Sequence, residues 1–217
     1  MGPPARTERS SQLRWRTVKD IRLGLLPQVG DVRRGIDLID LVRLAHYDHV
    51  DPDGPEGLRA AERRATAIVA FDTLAVPALL QTPAYALVQG TDPERREVLC
   101  RHLPPACEFF VHETALHAWS GDPAVLAGQL RALASSNARL VPFAAGGRPE
   151  FRHSFTLLEF AVGGPAVHVE SLSERHDVVA RYQAAAGVLR ECALDQEESR
   201  RSFACAADVM AREAAEG

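Results

Sequence analysis

Apolar and polar residues alternate along Ser154-Phe-Thr-Leu-Leu-Glu-Phe160, as in a half-buried strand. A turn sequence, Gly163-Gly164-Pro165, follows it, and the β-rich pattern then resumes as Ala166-Val-His-Val-Glu170. Two such runs separated by glycine and proline predict an antiparallel hairpin. The hairpin implies a sheet, which the rest of the chain must extend and cover.

Two further runs, Phe109-Phe-Val-His-Glu113 and Arg139-Leu-Val-Pro-Phe143, are predicted to be strands of the same sheet. Helix starts are indicated where a capping residue precedes proline, since proline suits the first helical turn. The predicted fold class is α+β: a vestigial helix-turn-helix segment followed by a domain with an antiparallel sheet and flanking helices. The predicted helices begin at Thr82-Pro83, Asp92-Pro93 and Asp122-Pro123, and two more span about 176–192 and 195–213.

One more helix is predicted over residues 57–70. Leu58, Ala61, Ala65 and Ile68 recur there at the spacing of one helical face. The apolar residues after it, up to Val76, are expected to end at a proline.

The predicted domain organisation starts with a disordered basic tail over 1–12 and the remnant of a helix-turn-helix over 13–50. A linker rich in proline, glycine and aspartate occupies 51–57. The remaining residues, 58–217, are predicted to form one C-terminal domain that binds an effector or a partner.

The composition of the 217-residue chain is that of an ordinary globular protein, with 46% hydrophobic and 25% charged residues. The net charge of −4 argues against a protein that coats nucleic acid over its whole surface. Residues 1–35 are basic, however, whereas residues 190–217 are acidic, and this asymmetry favours a local nucleic-acid contact near the start. No apolar run is long enough for a membrane span, and the start is not a secretory signal, so a cytoplasmic location and no membrane partner are expected.

Catalytic and metal motifs are not found in the sequence. The four cysteines form no C-x-x-C pair, and no G-x-S-x-G elbow or phosphate-binding glycine loop is present. His112, His168 and Glu170 would suit a metal site only if their strands were neighbours, and ordinary surface or core side chains are the favoured interpretation. We therefore predict no catalytic residue, no metal and no cofactor.

The segment Glu62-Arg-Arg-Ala-Thr-Ala-Ile-Val-Ala-Phe-Asp-Thr-Leu-Ala-Val-Pro-Ala-Leu-Leu-Gln-Thr-Pro-Ala-Tyr-Ala86 carries a distinctive phrase. Its second half, V-P-x-L-L-Q-T-x-x-Y-A, resembles the hallmark of the Scr1-type antitoxin-like transcriptional regulators. Further motifs of that family follow in the same order and extend the resemblance over about 62–203. These are E-x-A-L at Glu113 to Leu116, Q-L-x-x-L at Gln129 to Leu133, V-P-F at Val141 to Phe143, the hairpin, and A-L-x-x-x-E-S at Ala193 to Ser199.

The resemblance also implies a repressor-type helix-turn-helix near the start of the chain. A degenerate recognition helix is the element that Thr17-Val-Lys-Asp-Ile-Arg-Leu-Gly24 resembles, with Asp20 where a basic residue is common. The two helices expected before it are missing from this sequence, so weakened or indirect DNA binding is expected. The residues predicted to contact DNA are Arg14, Arg16, Thr17, Lys19 and Arg22.

A second set of predicted site residues comes from the family motifs: Gln81, Thr82, Tyr85, Glu113 and Glu170. Gln81, Thr82 and Tyr85 lie at a loop-to-helix junction suited to a ligand or a partner. The alternative is a buried turn in which these polar groups satisfy the backbone, and this alternative is favoured because apolar residues dominate the segment.

The resemblance implies an antitoxin-like regulator without chemistry of its own. Its C-terminal domain would bind a small cognate protein encoded nearby, or a ligand, and operator DNA is a further expected partner, with homo- or heterodimers allowed. Two alternatives stay open. One is a partner-binding module that does not touch DNA, and the other is an enzyme that acts on a small molecule in a recruited pocket of the same domain.

Overall fold

The computed structural model of the protein describes residues 55–119, 121–169 and 172–216. The predicted tail, the helix-turn-helix remnant and the DNA-binding residues Arg14, Arg16, Thr17, Lys19 and Arg22 lie outside these ranges. Five α-helices and six strands occur within the described residues. In chain order they are α1 Pro55–Arg64, β1 Ala65–Asp72, α2 Pro83–Gln89, β2 Ala106–His112, α3 Pro123–Ala134, β3 Ala138–Val141, β4 Phe155–Phe160, β5 Ala166–His168, β6 Leu172–Ser173, α4 His176–Cys192 and α5 Gln196–Glu216.

The strands form one six-stranded sheet in the order β3-β2-β1-β4-β5-β6. The α+β class is therefore confirmed, and so is the predicted hairpin, which is the antiparallel pair β4–β5. The predicted antiparallel sheet is wrong for β2 and β3, which run parallel to β1. Two strands that were not predicted, β1 and β6, pair antiparallel with β4 and β5. The parallel pairing has its physical reason in the length of the connections from β1 to β2 and from β2 to β3. They contain helices and return the chain to the end of the sheet at which the previous strand began.

The predicted helix over 57–70 is wrong in its second half. Helix α1 ends at Arg64, and β1 begins at Ala65 and runs through the centre of the sheet. A central strand is covered on both faces, so its sequence is an almost continuous apolar run. Ile68 and Phe71 point to opposite faces, and both are almost fully buried. The helical spacing of Ala65 and Ile68 is therefore coincidental.

Two cores lie on the two faces of the sheet. On one face, α1, α3 and α5 pack against Ile68 and Phe109, with Leu130 and Phe203 at the contact between helices and sheet. On the other face, α4 packs through Leu189 against the side chains of Phe71, Phe110, Phe155 and Val167. The domain is thus a three-layer arrangement, helices–sheet–helix.

The predicted helix starts are confirmed by their caps. The Thr82 hydroxyl accepts a hydrogen bond from the backbone N–H of Tyr85, and the Asp122 carboxylate accepts one from Ala124 at 2.7 Å. Asp92 caps the third start in the same way, although the segment it opens, Pro93–Cys100, is a 3-10 helix. Gly90 ends α2 in the left-handed conformation, with φ of 67°, which glycine adopts without steric cost.

The junction between α4 and α5 closes the β3 edge of the sheet. The backbone N–H of Leu194 donates to the carbonyl of Leu140 at 2.8 Å, and the N–H of Leu140 donates to the Ser199 hydroxyl at 2.9 Å. The Arg139 guanidinium adds bonds to the carbonyls of Ala193 at 2.7 Å and Leu194 at 2.9 Å. Side chains and backbone of the junction therefore take the hydrogen bonds that another strand would make.

Replacement of Phe203 by alanine is expected to lower the free energy of unfolding by about 3–5 kcal/mol, because the ring is fully buried between α5 and the sheet. Val209 lies on the same helix and is 37% exposed, so Val209→Ala serves as the control and is expected to change stability by less than about 1 kcal/mol. Urea unfolding followed by circular dichroism measures both. Equal losses for the two variants would contradict the packing of α5.

Candidate functional site

The turn that carries the V-P-x-L-L-Q-T motif is held together by hydrogen bonds within the fold. Gln81 is buried, its amide nitrogen donates to the carbonyl of Val76 at 2.7 Å, and its amide oxygen accepts from the hydroxyl of Thr91. Gln129, from the Q-L-x-x-L motif on α3, accepts from the N–H of Thr82 at 2.6 Å and donates to the carbonyl of Leu80 at 3.0 Å. The Q-L-x-x-L motif therefore fixes the backbone of the V-P-x-L-L-Q-T motif through these hydrogen bonds.

Tyr85 also belongs to the interior. Its side chain is almost fully buried, and its ring stacks on Trp119 with the ring centres 4.8 Å apart. Burial raises the pKa of its phenol above the usual value, so the group is neutral at physiological pH. The geometry of Gln81, Thr82 and Tyr85 favours the buried-turn interpretation of this motif.

Glu113 lies just after β2 and is tied to the V-P-F motif. Its carboxylate accepts from the backbone N–H of Phe143 at 2.6 Å. The exposed Phe143 ring contacts both His112 and His117, with ring centres 5.5 and 6.0 Å away. Glu170 lies outside the described residues, so its predicted role stays a prediction.

A cavity of about 190 Å³ opens at one end of the strands, where β1 and β5 end and β4 begins. We call it the edge pocket. Its floor contains Asp72, Thr156 and His168, and its roof contains Glu62 of α1 and Arg95 of the 3-10 helix Pro93–Cys100.

The register of the strands brings the floor residues together. Ala70 of β1 is opposite Thr156 of β4, and Thr156 is opposite His168 of β5. Asp72 follows Ala70 by two residues and therefore faces the same side of the sheet. Directly opposed side chains have Cβ atoms about 4.5–5.5 Å apart, so Thr156 and His168 are immediate neighbours. The small side chain of Ala70 leaves open the space between them and the roof.

A buried ion pair forms the roof. Glu62 is fully buried and accepts from the Arg95 guanidinium through Nε at 3.2 Å and through an Nη atom. A guanidinium carries five N–H donors, and this fork uses two of them. The other three have no hydrogen-bond partner among the described residues, although only 17% of the Arg95 side chain is exposed. Glu62 thus holds Arg95 in place, and the guanidinium retains donors that no described residue accepts from.

His168 lies on the pocket floor with no hydrogen bond from its ring to any described residue. Desolvation lowers the pKa of its imidazole, and the nearby positive charge of Arg95 lowers that pKa further. The ring is therefore neutral at physiological pH, with one nitrogen able to donate and the other able to accept.

Asp72 supplies a negative charge to the pocket and forms no ion pair with any described residue. One of its carboxylate oxygens accepts from the N–H groups of Leu74 at 3.1 Å and Ala75 at 3.0 Å and from the Ser154 hydroxyl at 2.9 Å. The second oxygen has no hydrogen-bond partner within the described ranges. Ser154 is bonded to a carboxylate and to Thr73, and none of its hydrogen bonds among the described residues reaches a histidine.

A metal site built from His112 and His168 does not form. Two strands, β1 and β4, separate β2 from β5, and the two histidines point to opposite faces of the sheet. In the described part of the chain, no group of three His, Cys, Asp or Glu side chains is placed to hold a metal ion.

Sequence reasoning missed Glu62, Asp72, Arg95 and Thr156 as site residues, and it considered His168 only as part of a metal site. Glu62 and Arg95 are separated by 33 positions, so no local pattern relates them. The lone histidine within the predicted hairpin was the available indication, because a polar ring amid apolar strand residues needs a partner or an accessible space.

A second cavity, of about 390 Å³, lies beside α4 at the other end of the strands, where β1 and β2 begin and β4 ends. Cys107 lines it, and so does the exposed ion pair between Glu108 and Arg190, which are bonded at 2.8 and 2.6 Å. This pair holds the pKa of the Glu108 carboxyl below its usual value through its hydrogen bond to Arg190. Burial raises the pKa of the Cys107 thiol to about 11.

Glu62→Gln is expected to lower the free energy of unfolding by about 3 kcal/mol, because it leaves the mostly buried Arg95 without its counter-charge. Glu108→Gln is the matched control, since that pair has the same fork geometry but is 45% exposed at both partners, and a loss of about 0–1 kcal/mol is expected. Chemical denaturation measures the difference. Indistinguishable losses would show that the Glu62 pair is not desolvated.

Cys107 is expected to react with iodoacetamide at pH 8 far more slowly than Cys100 and Cys205. With a pKa of about 11, only about one Cys107 in a thousand is a thiolate at pH 8, whereas Cys100 and Cys205 are exposed. Mass spectrometry of timed samples gives the rate at each site. A Cys107 rate equal to that of Cys205 would contradict the burial of this thiol.

None of the helices within the described ranges combines the length and the apolar character that a membrane span requires. No curated protein and no solved structure matches the chain. One family model does match, that of a domain of unknown function, DUF5753, over residues 56–92 and 91–204. These matches cover well over half of the 217 residues and all of the sheet. The chain belongs to the DUF5753 family.

Proposed function

We propose that the chain is an antitoxin-like regulator whose C-terminal domain binds a small polar ligand in the edge pocket and responds by changing its contacts with a cognate protein or with DNA. The observation that carries the proposal is a contrast in hydrogen bonding. Polar groups of Gln81, Thr82 and Glu113 are engaged within the fold, whereas Arg95 and His168 retain groups without described partners beside a cavity. Unsatisfied polar groups that converge on a concave site are typical of ligand recognition.

Binding is favoured over catalysis by the surroundings of Ser154. In the common serine-nucleophile arrangement a histidine accepts the hydroxyl proton, whereas among the described residues the Ser154 hydroxyl bonds to the Asp72 carboxylate, which also anchors the following turn. The arrangement stabilises the chain at the pocket mouth. This supports a site that holds a molecule without transforming it.

A protein partner is the second proposed ligand of the domain, as the family resemblance implies. Helix α2 supports it, because Leu87 is 81% exposed and Val88 is 53% exposed on a short helix that follows the clamped turn. Exposed aliphatic side chains on a rigidly held element suit a protein contact. The partner would be the small cognate protein encoded nearby, and dimerisation with a second regulator is compatible with the same surface.

The regulatory proposal predicts a salt-sensitive mobility shift of the DNA upstream of the gene by the full chain. Replacement of Arg14, Arg16, Lys19 and Arg22 by alanine should weaken the shift. The slope of log affinity against log salt should fall by about 0.9 for each phosphate that the variant no longer neutralises. The control replaces three exposed arginines of the C-terminal domain, Arg175, Arg200 and Arg201, and should leave the slope unchanged.

Absence of any shift would contradict direct DNA binding and leave the partner-binding module as the proposed function. Co-expression with the product of the neighbouring small reading frame then provides the test. Copurification that disappears in a Leu87→Asp, Val88→Asp variant would support that alternative, and failure to copurify would eliminate it.

A further inference from the structure

The edge pocket presents charges of opposite sign on different elements. Within the described residues, Arg95 on the roof has three N–H donors without a partner, and Asp72 at the end of β1 has one carboxylate oxygen without a partner. Neutral groups, the Thr156 hydroxyl and the His168 ring, lie on the floor. A ligand that satisfies all of them carries an anionic group at one end and a cationic group at the other.

The buried Glu62 defines what Arg95 can bind. Glu62 occupies the side of the guanidinium formed by Nε and one Nη nitrogen, so the donors that remain are at the end of the side chain. That end of the fork matches the two oxygens of a carboxylate. Glu62 also cancels the net charge of Arg95, so an anion gains hydrogen bonds there but little long-range attraction.

Asp72 defines the other end. Its first oxygen already accepts three hydrogen bonds, which fix the orientation of the carboxylate, and its second oxygen is available. With the Glu62–Arg95 pair neutral overall and His168 uncharged, Asp72 leaves the pocket with a net charge of about −1. A purely anionic ligand would be repelled by Asp72, and a purely cationic one would leave the Arg95 donors unpaired.

We propose that the edge pocket binds a small zwitterion, an amino acid in the broad sense, with its carboxylate on Arg95 and its ammonium group on Asp72. Thr156 and His168 contribute hydrogen bonds to the same molecule from the floor. The cavity of about 190 Å³ suits a compact molecule rather than a peptide. This inference rests on the proposed function only in taking the edge pocket as a binding site.

The test uses the full chain and three zwitterions of increasing length: glycine, β-alanine and 4-aminobutyrate. The matched probes with a single charge are propionate and propylammonium. Ligand-observed NMR and calorimetry measure binding, which is expected in the millimolar range or tighter for one of the zwitterions. That zwitterion should bind at least about tenfold more tightly than either singly charged probe, since each lacks one charge-assisted hydrogen-bond set.

Two variants separate the ends of the ligand. Asp72→Asn keeps an oxygen acceptor for the turn and removes the charge, so the affinity for the zwitterion should fall about tenfold while propionate binding does not weaken. Arg95→Lys keeps the charge beside Glu62 and removes the fork, so propionate and zwitterion should both weaken. Asp122→Asn is the control, because the Asp122 carboxylate also accepts a backbone hydrogen bond, at the start of α3 and outside the pocket. Circular dichroism confirms that each variant is folded.

Equal binding of propionate and the best zwitterion, equal binding of propylammonium and that zwitterion, or no binding of any zwitterion at millimolar concentration each overturns the proposal. These outcomes are distinct from failure of the proposed function. A chain that shifts DNA but binds no zwitterion overturns this inference alone. A chain that binds a zwitterion but contacts neither DNA nor a cognate protein overturns the regulatory role and leaves the pocket assignment intact.

Discussion

The structure depends on the burial of one strand, β1, on both faces and along both edges. Its backbone pairs with β2 on one side and β4 on the other, and its side chains contribute to both hydrophobic cores. Everything else is arranged around this requirement. The strand needs helices on both faces, which α1, α3, α5 and α4 supply. Its two polar residues lie near its two ends, Thr66 at the start and Asp72 at the end that meets the edge pocket.

The motifs of the sequence form contacts in pairs. Gln129 of one motif holds the Gln81-Thr82 turn of another, Glu113 holds the backbone at Phe143, and Ser199 holds Leu140. In each case a polar side chain satisfies a backbone group that no strand or helix partner reaches, and an unpaired backbone group would be costly in such places. These contacts show that folding explains much of the family resemblance, although Glu62, Asp72, Thr156 and His168 of the edge pocket also lie within the segments that carry it.

Local patterns predicted the parts of the fold that local interactions determine. The bounds of α4, the cap at Asp122 and the β4–β5 hairpin follow from residues within a few positions of one another. The change from helix to strand at Ala65 was not predictable in this way, because burial by distant elements decides it. The parallel pairing of β1 with β2 and of β2 with β3 depends on long connections, residues 73–105 and 113–137, whose paths no local pattern specifies.

The contrast between local interactions and contacts of distant elements also explains which residues of the candidate site could be predicted. Gln81, Thr82 and Tyr85 were predicted as site residues because they belong to one continuous motif. That motif forms a single turn and the start of α2. Asp72, Arg95 and His168 come from three separated elements and meet only through the strand register and the packing of α1. Such a constellation carries no pattern along the chain, so it becomes visible only in three dimensions.

The junction between α4 and α5 has a consequence for how copies of this chain meet. An open strand edge is a template on which another molecule can add a strand, and such growth has no natural end. Here the Leu194 and Ser199 bonds to Leu140 occupy that template from within the same chain. Fibril-like extension from β3 would first have to pull the C-terminal helix away from the sheet. Stability of α5 and resistance to aggregation are therefore one property of this domain, and a weakened Phe203 contact would compromise both.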